Sequence, residues 1–251
     1  MFRKLASGSI KQLNKVLRHA RMKVVRSDIP TRAFREGLEH LKAFGFYPET
    51  VIDVGVLWGT PALYRAFSKS KFFLFEPQAE YEEAIKKLAR RYAMSYEMIA
   101  LGPTSGEVEF FAKPKDPGAS SAFPEAGANS AFQRRVVPMR RLDEVLRADQ
   151  LGRSCLLKID VEGYELSVLE GATSLLHAVD VIVLEVRFIR FYQKLPIFHE
   201  VIAWMSERDF FAHDILDGAY RPLDGALDHM DIVFVKGSSG VASQISKAYT
   251  G

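Results

Sequence analysis

The sequence predicts an α/β fold built on a mostly parallel sheet, and three observations support this prediction. From residue 50 onward, apolar runs that suit strands alternate with helical patterns, as in sheets with right-handed crossovers. The first apolar run is followed by a glycine turn containing Gly55 and Gly59. The second apolar run is followed by an acid, Glu76. This order is typical of the first half of a nucleotide-binding Rossmann unit.

The same alternation places the individual elements. Strands are predicted near residues 50–54, 72–76, 96–100, 154–160, 180–186, 210–216 and 231–236, and helices near 61–68, 79–92, 140–148, 165–176 and 197–208. Thr60 followed by Pro61 is a helix-start signal. The segment GEVEFFA (106–112) is predicted to be an additional strand beside the third. Residues 113–131 are predicted to be a loop.

Length and charge indicate the domain organisation. The chain has 251 residues, of which 48% are hydrophobic and 26% charged, and this suits one sizeable α/β domain. We predict a helical extension over 1–48, the main domain over 49–237 and a flexible tail over 238–251. The net charge of +3 arises from the first 28 residues, where apolar residues at helical spacing predict a basic amphipathic helix over 9–25. The remainder is net acidic, so nucleic acid is not expected as a partner.

The expected compartment is the cytoplasm. The single cysteine, Cys155, lies in the apolar run CLLKID and is interpreted as a buried strand residue. The N-terminus lacks the continuous apolar core of a signal peptide, and no stretch approaches the roughly 20 apolar residues of a membrane span. We therefore expect a soluble protein without integral membrane contact.

The glycine turn and the acid that follows it indicate a cofactor site. Gly55 and Gly59 let the backbone approach a ligand closely, and an acid such as Glu76 commonly accepts hydrogen bonds from ribose hydroxyls. The GxGxxG spacing is absent because Leu57 and Trp58 occupy the middle of the turn. This favours a cofactor without a pyrophosphate, and S-adenosylmethionine (SAM) fits. The alternative interpretation is a turn that only packs a helix on the sheet.

A second motif, LLKIDVEGYELSVLEGA (156–172), follows a predicted buried strand. It delivers Asp160 to the carboxyl end of that strand, beside the first motif, and Gly163 turns the chain. Glu162 and Glu165 flank the next helix and could also be simple helix caps. Asp160 is therefore the candidate functional acid of this motif.

Taken together, these motifs resemble the FkbM-type family of SAM-dependent methyltransferases over roughly residues 51–235. The resemblance is carried by VIDVGVLWGTPALY, FFLFEP, a serine pair at 120–121 and LLKIDVEGYELSVLEGA, in this order. It implies a Rossmann-like class I methyltransferase fold. The expected sheet has seven mostly parallel strands with helices on both faces, and its last strand is inserted antiparallel to the others.

The resemblance also implies roles for individual residues. The residues implied to bind the cofactor are Asp53, Gly55, Gly59, Thr60, Glu76, Pro77, Ser120 and Ser121. Asp160 and Glu162 match the motif at the methyl-transfer site. Leu57 and Trp58 depart from the smaller, more polar residues usual in the cofactor turn.

The implied reaction is methyl transfer to a hydroxyl of a sugar, a glycan-like acceptor or a secondary metabolite. Such an acceptor needs a base, for which Asp160 is the first candidate and His229 the second. Asp160, Glu162 and Glu185 end neighbouring predicted strands, so assistance by Mg²⁺ is a further hypothesis. Two alternatives stay open, a nicotinamide-dependent oxidoreductase and a non-catalytic SAM-binding protein.

Overall fold

The computed structural model describes Leu17 and residues 32–123, 132–192 and 194–250. The predicted helix over 9–25 lies outside the described residues, apart from Leu17, and so does part of the predicted loop over 113–131. Ten strands are present in the described part of the chain: β1 (Thr50–Val54), β2 (Lys71–Phe75), β3 (Met94–Glu97), β4 (Ala100–Leu101), β5 (Gly106–Ala112), β6 (Gln133–Arg140), β7 (Cys155–Ile159), β8 (Val181–Arg187), β9 (Phe210–Tyr220) and β10 (Leu227–Lys236).

Seven of these strands form the main sheet, in the order β3-β2-β1-β7-β8-β10-β9. The pairs from β3 to β8 are parallel, whereas β10 runs antiparallel to both of its neighbours. Every residue of β1 and β7 is buried, as expected for central strands covered on both faces. The predicted seven-stranded, mostly parallel sheet with an antiparallel last strand is thus confirmed.

Within the described residues from 32 onward, seven α-helices cover this sheet: α1 (Phe34–Ala43), α2 (Pro61–Ala66), α3 (Glu82–Ala89), α4 (Leu142–Val145), α5 (Glu165–Glu170), α6 (Phe198–Ser206) and α7 (Gly240–Thr250). Alternate residues of β1 belong to two separate buried clusters, which shows that both faces are covered. Ile52 packs with α4, α5 and α6, and Val51 packs with α1, α2, α3 and α7. The prediction of helices on both faces is therefore confirmed.

A second sheet of three strands, in the order β4-β6-β5, corrects the sequence analysis. The strand predicted near 96–100 is two short strands in different sheets, and β5 pairs with β6 rather than lying beside the third strand. The sequence analysis assigned no strand to β6 and predicted a longer helix over 140–148. Only Val137 and Met139 of β6 are buried, so its polar pattern gives a weak strand signal.

The boundaries of the main domain also differ from the prediction. The described residues from Arg32 onward form one compact unit, which includes α1, whereas the predicted domain begins at residue 49. Leu38 and Leu41 explain this difference, because they are buried in the same cluster as the sheet. At the other end, the structure has helix α7 where a flexible tail is predicted. Val241 and Ala242 anchor that helix in the same cluster.

Candidate cofactor and acceptor site

A cavity of about 260 Å³ opens at the carboxyl ends of β1, β2, β7 and β8. Because β1 lies between β2 and β7, this edge of the sheet brings together the turns that follow three neighbouring strands. Ligands bind at this end of open α/β sheets. The candidate site residues predicted from the sequence that line the cavity are Gly55, Glu76, Pro77, Ser120, Asp160, Glu162, Glu185 and His229.

Gly55 follows β1 in a left-handed backbone conformation, with φ of +78°. A Cβ atom at this position would lie 1.8 Å from the backbone carbonyl oxygen of Asp160. The glycine is therefore required for the close approach of the turns after β1 and β7, and not only for leaving space to a ligand. Its N–H donates to the Phe75 carbonyl over 3.0 Å, which ties the same turn to the end of β2.

Glu76 lies directly after β2 and is held by the backbone. Its Oε2 accepts a hydrogen bond from the Leu57 N–H over 2.8 Å, and its Oε1 accepts one from the Gln78 N–H over 2.9 Å. Burial raises the pKa of Glu76 above its ordinary value, and these two hydrogen bonds oppose that rise. Each carboxylate oxygen has a second lone pair. The fixed carboxylate can therefore accept hydrogen bonds from two adjacent ligand hydroxyls, as a ribose presents.

Four of the predicted cofactor residues do not line the cavity, and three of these, Asp53, Gly59 and Thr60, belong to β1 or to the turn after it. Asp53 is fully buried beneath it, where it accepts a hydrogen bond from the Tyr64 hydroxyl over 2.6 Å. A Cβ atom on Gly59 would lie 2.5 Å from Leu88 of α3, so this glycine allows helix packing. Thr60 precedes α2, and its carbonyl accepts the Tyr64 N–H over 3.2 Å. All three residues therefore stabilise the turn after β1 from outside the cavity.

The two predicted serines have different positions. Ser120 lines the cavity, and its hydroxyl accepts the Lys113 N–H over 3.0 Å. Ser121 lies behind the lining, where its hydroxyl donates to the Glu162 carbonyl over 3.0 Å. Ser121 therefore supports the turn that carries Glu162 instead of contacting a ligand.

Glu162 itself has a left-handed backbone conformation, with φ of +55°. The buried carboxylate of Glu165 stabilises the turn, because its Oε1 accepts the N–H groups of Val161 and Gly163 over 3.0 and 3.1 Å. Glu165 was considered a helix cap from sequence, and here it fixes the geometry of Glu162. Left-handed non-glycine residues cluster at functional sites in proteins.

Asp160, Glu162 and Glu185 form an acidic cluster in which one carboxylate oxygen of each lies within 4.8 Å of the others. The sequence analysis predicted these same three residues as possible Mg²⁺ ligands, and they could hold a divalent cation. The cluster also has a buried cation of its own. Lys158, beneath the cavity, donates to Asp160 over 3.1 Å and lies 3.6 Å from Asp53.

A second cation, the partly buried Arg187, was missed by the sequence analysis. Its guanidinium contacts Glu162 and lies 3.3 Å from Glu185 and 3.1 Å from Asp228. A signal for it exists in the sequence, since Arg187 is two residues after Glu185 in a strand and must lie on the same face. Arg187 is thus the central cation of the acidic cluster.

The cluster contains more acids than these cations balance. Burial and the nearby Glu185 carboxylate raise the pKa of Glu162, and burial and Asp160 raise the pKa of Glu185. Arg187 opposes both shifts. This part of the cavity therefore favours a positively charged group or a proton.

His229 lies at the edge of this cluster and lines the cavity. Its Nε2 is 3.5 Å from Glu185 Oε1, and its Nδ1 is 3.3 Å from Asp228 Oδ2. The antiparallel register of β8 and β10 places His229 opposite Arg187. The imidazole is therefore positioned by two carboxylates.

The charges of the described lining residues indicate which cofactor the cavity can bind. The ionisable side chains among them are the carboxylates of Glu76, Asp160, Glu162 and Glu185, the imidazole of His229 and the phenol of Tyr164. No lysine or arginine lines the cavity in the described part of the chain. This set suits the ribose and the sulfonium cation of SAM. It does not suit a pyrophosphate, which proteins bind with basic side chains or a glycine-rich backbone cradle.

The sheet order and the site define a class of protein, the Rossmann-like SAM-dependent methyltransferases. Residues 52–212 match the sequence profile of the methyltransferase FkbM domain. The chain therefore belongs to the FkbM methyltransferase family, as the resemblance in the sequence indicates. A search of curated proteins finds no match.

Solved structures that resemble the chain have low sequence identity. Magnesium protoporphyrin IX methyltransferase from Synechocystis PCC 6803, with bound SAM, is 12% identical, with 80% of this chain and 76% of that chain covered and a TM-score of 0.41. N-methyltransferase NodS from Bradyrhizobium japonicum WM9 is 9% identical, with coverages of 80% and 93% and a TM-score of 0.45. No helix in the described residues has both the length and the apolar character needed to cross a membrane.

Proposed function

We propose that this methyltransferase transfers the methyl group of SAM to a hydroxyl oxygen of a sugar, a glycan-like acceptor or a secondary metabolite. The observation that carries the proposal is the position of His229, whose imidazole lines the cavity beside the acidic cluster and lies near two carboxylates. A hydroxyl acceptor must lose its proton during transfer, and histidine is the commonest side chain for this task.

On the cofactor side, we assign Gly55, Glu76, Pro77 and Ser120 to SAM binding. SAM supplies a methyl group on a positively charged sulfur. Glu76 accepts hydrogen bonds from the ribose hydroxyls, because its carboxylate is fixed and each of its oxygens has a lone pair that the backbone does not use. The carboxylates of Asp160 and Glu162 complement the positive charge.

On the acceptor side, we assign the base to His229 and a positioning role to Asp160. The Asp160 carboxylate is engaged by the buried Lys158 ammonium over 3.1 Å, and this ion pair fixes its position. With the Nδ1 proton donated toward Asp228, the Nε2 lone pair of His229 is free to accept the hydroxyl proton. The imidazolium that forms then lies between Asp228 and Glu185, which stabilise its charge.

The charge of the lining also restricts the acceptor. The negative charge of this acidic lining would repel a carboxylate or phosphate acceptor even where Glu162 and Glu185 hold a proton, because Asp160 remains, and no basic side chain among the described lining residues would attract such an acceptor. A neutral acceptor is therefore favoured. Nucleic acid, with its phosphate backbone, is disfavoured for the same reason.

A screen of acceptors with labelled SAM tests the proposal, with neutral hydroxyl compounds, amines and carboxylates in parallel. We expect label transfer to a neutral hydroxyl compound, and a loss of kcat of about 100-fold or more in His229→Gln. His199→Gln, a change on the exposed side of α6, serves as the matched control and should retain activity. Transfer to amines or carboxylates alone would refute hydroxyl methylation.

Mg²⁺ assistance is the second candidate for activating the hydroxyl, and the acidic cluster favours it. Treatment with a chelator separates the two mechanisms. Activity that is indifferent to the chelator supports His229 as the base. Activity that is lost and then restored by Mg²⁺ supports metal assistance.

The two other functions considered from sequence are tested by binding. Calorimetric titration with SAM, S-adenosylhomocysteine and NAD should show binding of the two sulfur compounds and not of NAD. Binding of NAD alone would favour an oxidoreductase. Binding of SAM without transfer to any acceptor in the screen would favour a non-catalytic SAM-binding protein.

A further inference from the structure

Leu57 combines a bulky side chain with a left-handed backbone, which L-residues adopt only with strain. Its φ is +48°, and three described non-glycine residues have positive φ: Leu57, Glu162 and Asp209. The left-handed region is populated mainly by glycine, and also by asparagine and aspartate. A leucine in this conformation is therefore an outlier that calls for a physical reason.

The other two left-handed residues have polar side chains that bind nearby groups. Asp209 accepts the Ser238 N–H over 3.0 Å, and Glu162 pairs with Arg187. The side chain of Leu57 has no polar atom and cannot gain a hydrogen bond in return. Its backbone N–H donates to Glu76 over 2.8 Å, which fixes the turn. That bond requires only the backbone, so it does not explain why the residue is leucine.

The surroundings of the Leu57 side chain indicate its role. Leu57 lines the cavity beside Glu76 and is half-buried. Among the described residues, it belongs to none of the three buried apolar clusters of the fold. The next residue, Trp58, is 57% exposed and contacts Tyr81 edge to face at 5.9 Å between ring centroids. The apolar surface of Leu57 therefore contributes to the cavity and not to the core.

We propose that Leu57 is a cofactor-contact residue, whose side chain forms an apolar wall against the adenosyl part of SAM beside the ribose. The strained backbone holds the side chain at this place. The same wall occupies the turn in which a dinucleotide would need space for its pyrophosphate, so Leu57 also contributes to selection of SAM over NAD. This inference rests on the cofactor and is independent of the proposed hydroxyl acceptor.

Two substitutions at position 57 separate the effect of the leucine side chain from the effect of the backbone strain. Leu57→Ala removes the wall and keeps the left-handed strain, whereas Leu57→Gly removes both. We expect both variants to bind SAM about tenfold more weakly by calorimetry, because they lose the burial of part of one apolar side chain. In thermal unfolding without ligand, the glycine variant should have a higher Tm than the alanine variant.

Two further variants calibrate the measurement. Leu223→Ala, at a position that is 83% exposed in the turn between β9 and β10, should leave SAM affinity unchanged. Glu76→Gln should weaken SAM binding. Unchanged SAM affinity in Leu57→Ala would overturn the proposed contact. A glycine variant with a Tm no higher than that of the alanine variant would overturn the role of strain.

Discussion

The two sides of the cavity hold their carboxylates in different ways. Following the proposed function, we call Gly55, Leu57 and Glu76 the cofactor half, and Asp160, Glu162, Glu185, Arg187 and His229 the acceptor half. In the cofactor half, the Glu76 carboxylate is held by two backbone N–H groups. In the acceptor half, Glu162 and Glu185 are held by the charged side chain of Arg187.

This difference determines how each half responds to a substitution. Backbone donors stay in place when a neighbouring charge is altered, so the cofactor half depends on the path of the chain. The acceptor half depends on a balance of charges in a partly buried site, where an unpaired charge is costly. We therefore expect charge changes to act on the acceptor half and backbone changes to act on the cofactor half.

The largest effect is expected from Arg187→Met. This change leaves Glu162, Glu185 and Asp228 without their shared cation, and breaking buried pairs costs about 3–5 kcal/mol. Urea unfolding measures the loss. Arg147→Met is the matched control, because its pair with Asp149 is exposed and worth less than about 1 kcal/mol. Equal losses in the two variants would contradict the role of Arg187.

A somewhat smaller effect is expected from Gly55→Ala, which tests the cofactor half. Gly45→Ala is the matched control, since both glycines have φ of +78° but a Cβ atom on Gly45 would have no atom within 4 Å. We expect Gly45→Ala to lower the free energy of unfolding by about 1 kcal/mol, from backbone strain alone. Gly55→Ala has the same strain and in addition a clash with the Asp160 carbonyl, so we expect it to lower the free energy of unfolding by on the order of 3 kcal/mol.

Urea unfolding measures both glycine variants, and calorimetry with SAM shows whether binding is lost with Gly55→Ala alone. If both variants unfold at the same urea concentration, the close approach of the two turns is not what requires Gly55.

The smallest effect concerns pH and Asp231, which lies opposite Glu185 on β10. Burial and the Asp160 carboxylate raise the pKa of Asp231 to about 7 from an ordinary value of 3.8. The folded state thus binds this proton more tightly than the unfolded state. The contribution of Asp231 to the free energy of unfolding is therefore full below pH 4 and falls as pH rises toward 7.

Asp231→Asn removes this dependence, so the variant should gain stability relative to the wild type between pH 5 and pH 8, by about 1 kcal/mol or more. Urea unfolding at the two pH values measures it. Asp224→Asn is the control, because a hydrogen bond from Arg221 lowers the pKa of Asp224 to about 2 and its contribution is constant in this range. A difference between Asp231→Asn and wild type that does not grow with pH would contradict the raised pKa.

The backbone arrangement of the cofactor half could be predicted from the sequence because its elements are consecutive in the chain. A strand, a glycine turn and the next strand span residues 50–75, and the acid follows directly. Asp53 lies elsewhere than the sequence analysis expected, because it is the fourth of the five residues of β1 and pairs in register with Lys158. Period-two alternation puts it on the same face as Val51, toward Tyr64, and not beyond the strand end.

The acceptor half was only partly predictable because it depends on pairing between distant strands. Asp160 and Glu162 belong to one motif, but their partner Arg187 lies on β8 and Asp228 lies on β10. The antiparallel register that places His229 opposite Arg187 is not encoded by any local pattern. Strand β6 was not predicted for the same reason, because it pairs with β5, which lies on the other side of the predicted loop in the sequence.

The insertion of β10 between β8 and β9 has a consequence for synthesis. The ribosome makes the cofactor half early, since Glu76 lies in the first third of the chain. His229 becomes available only when β10 has left the ribosome and paired with β8 and β9. A nascent chain therefore has both turns of the cofactor half long before it has His229 in place. Under the proposed function, the order of synthesis leaves the unfinished chain without its base.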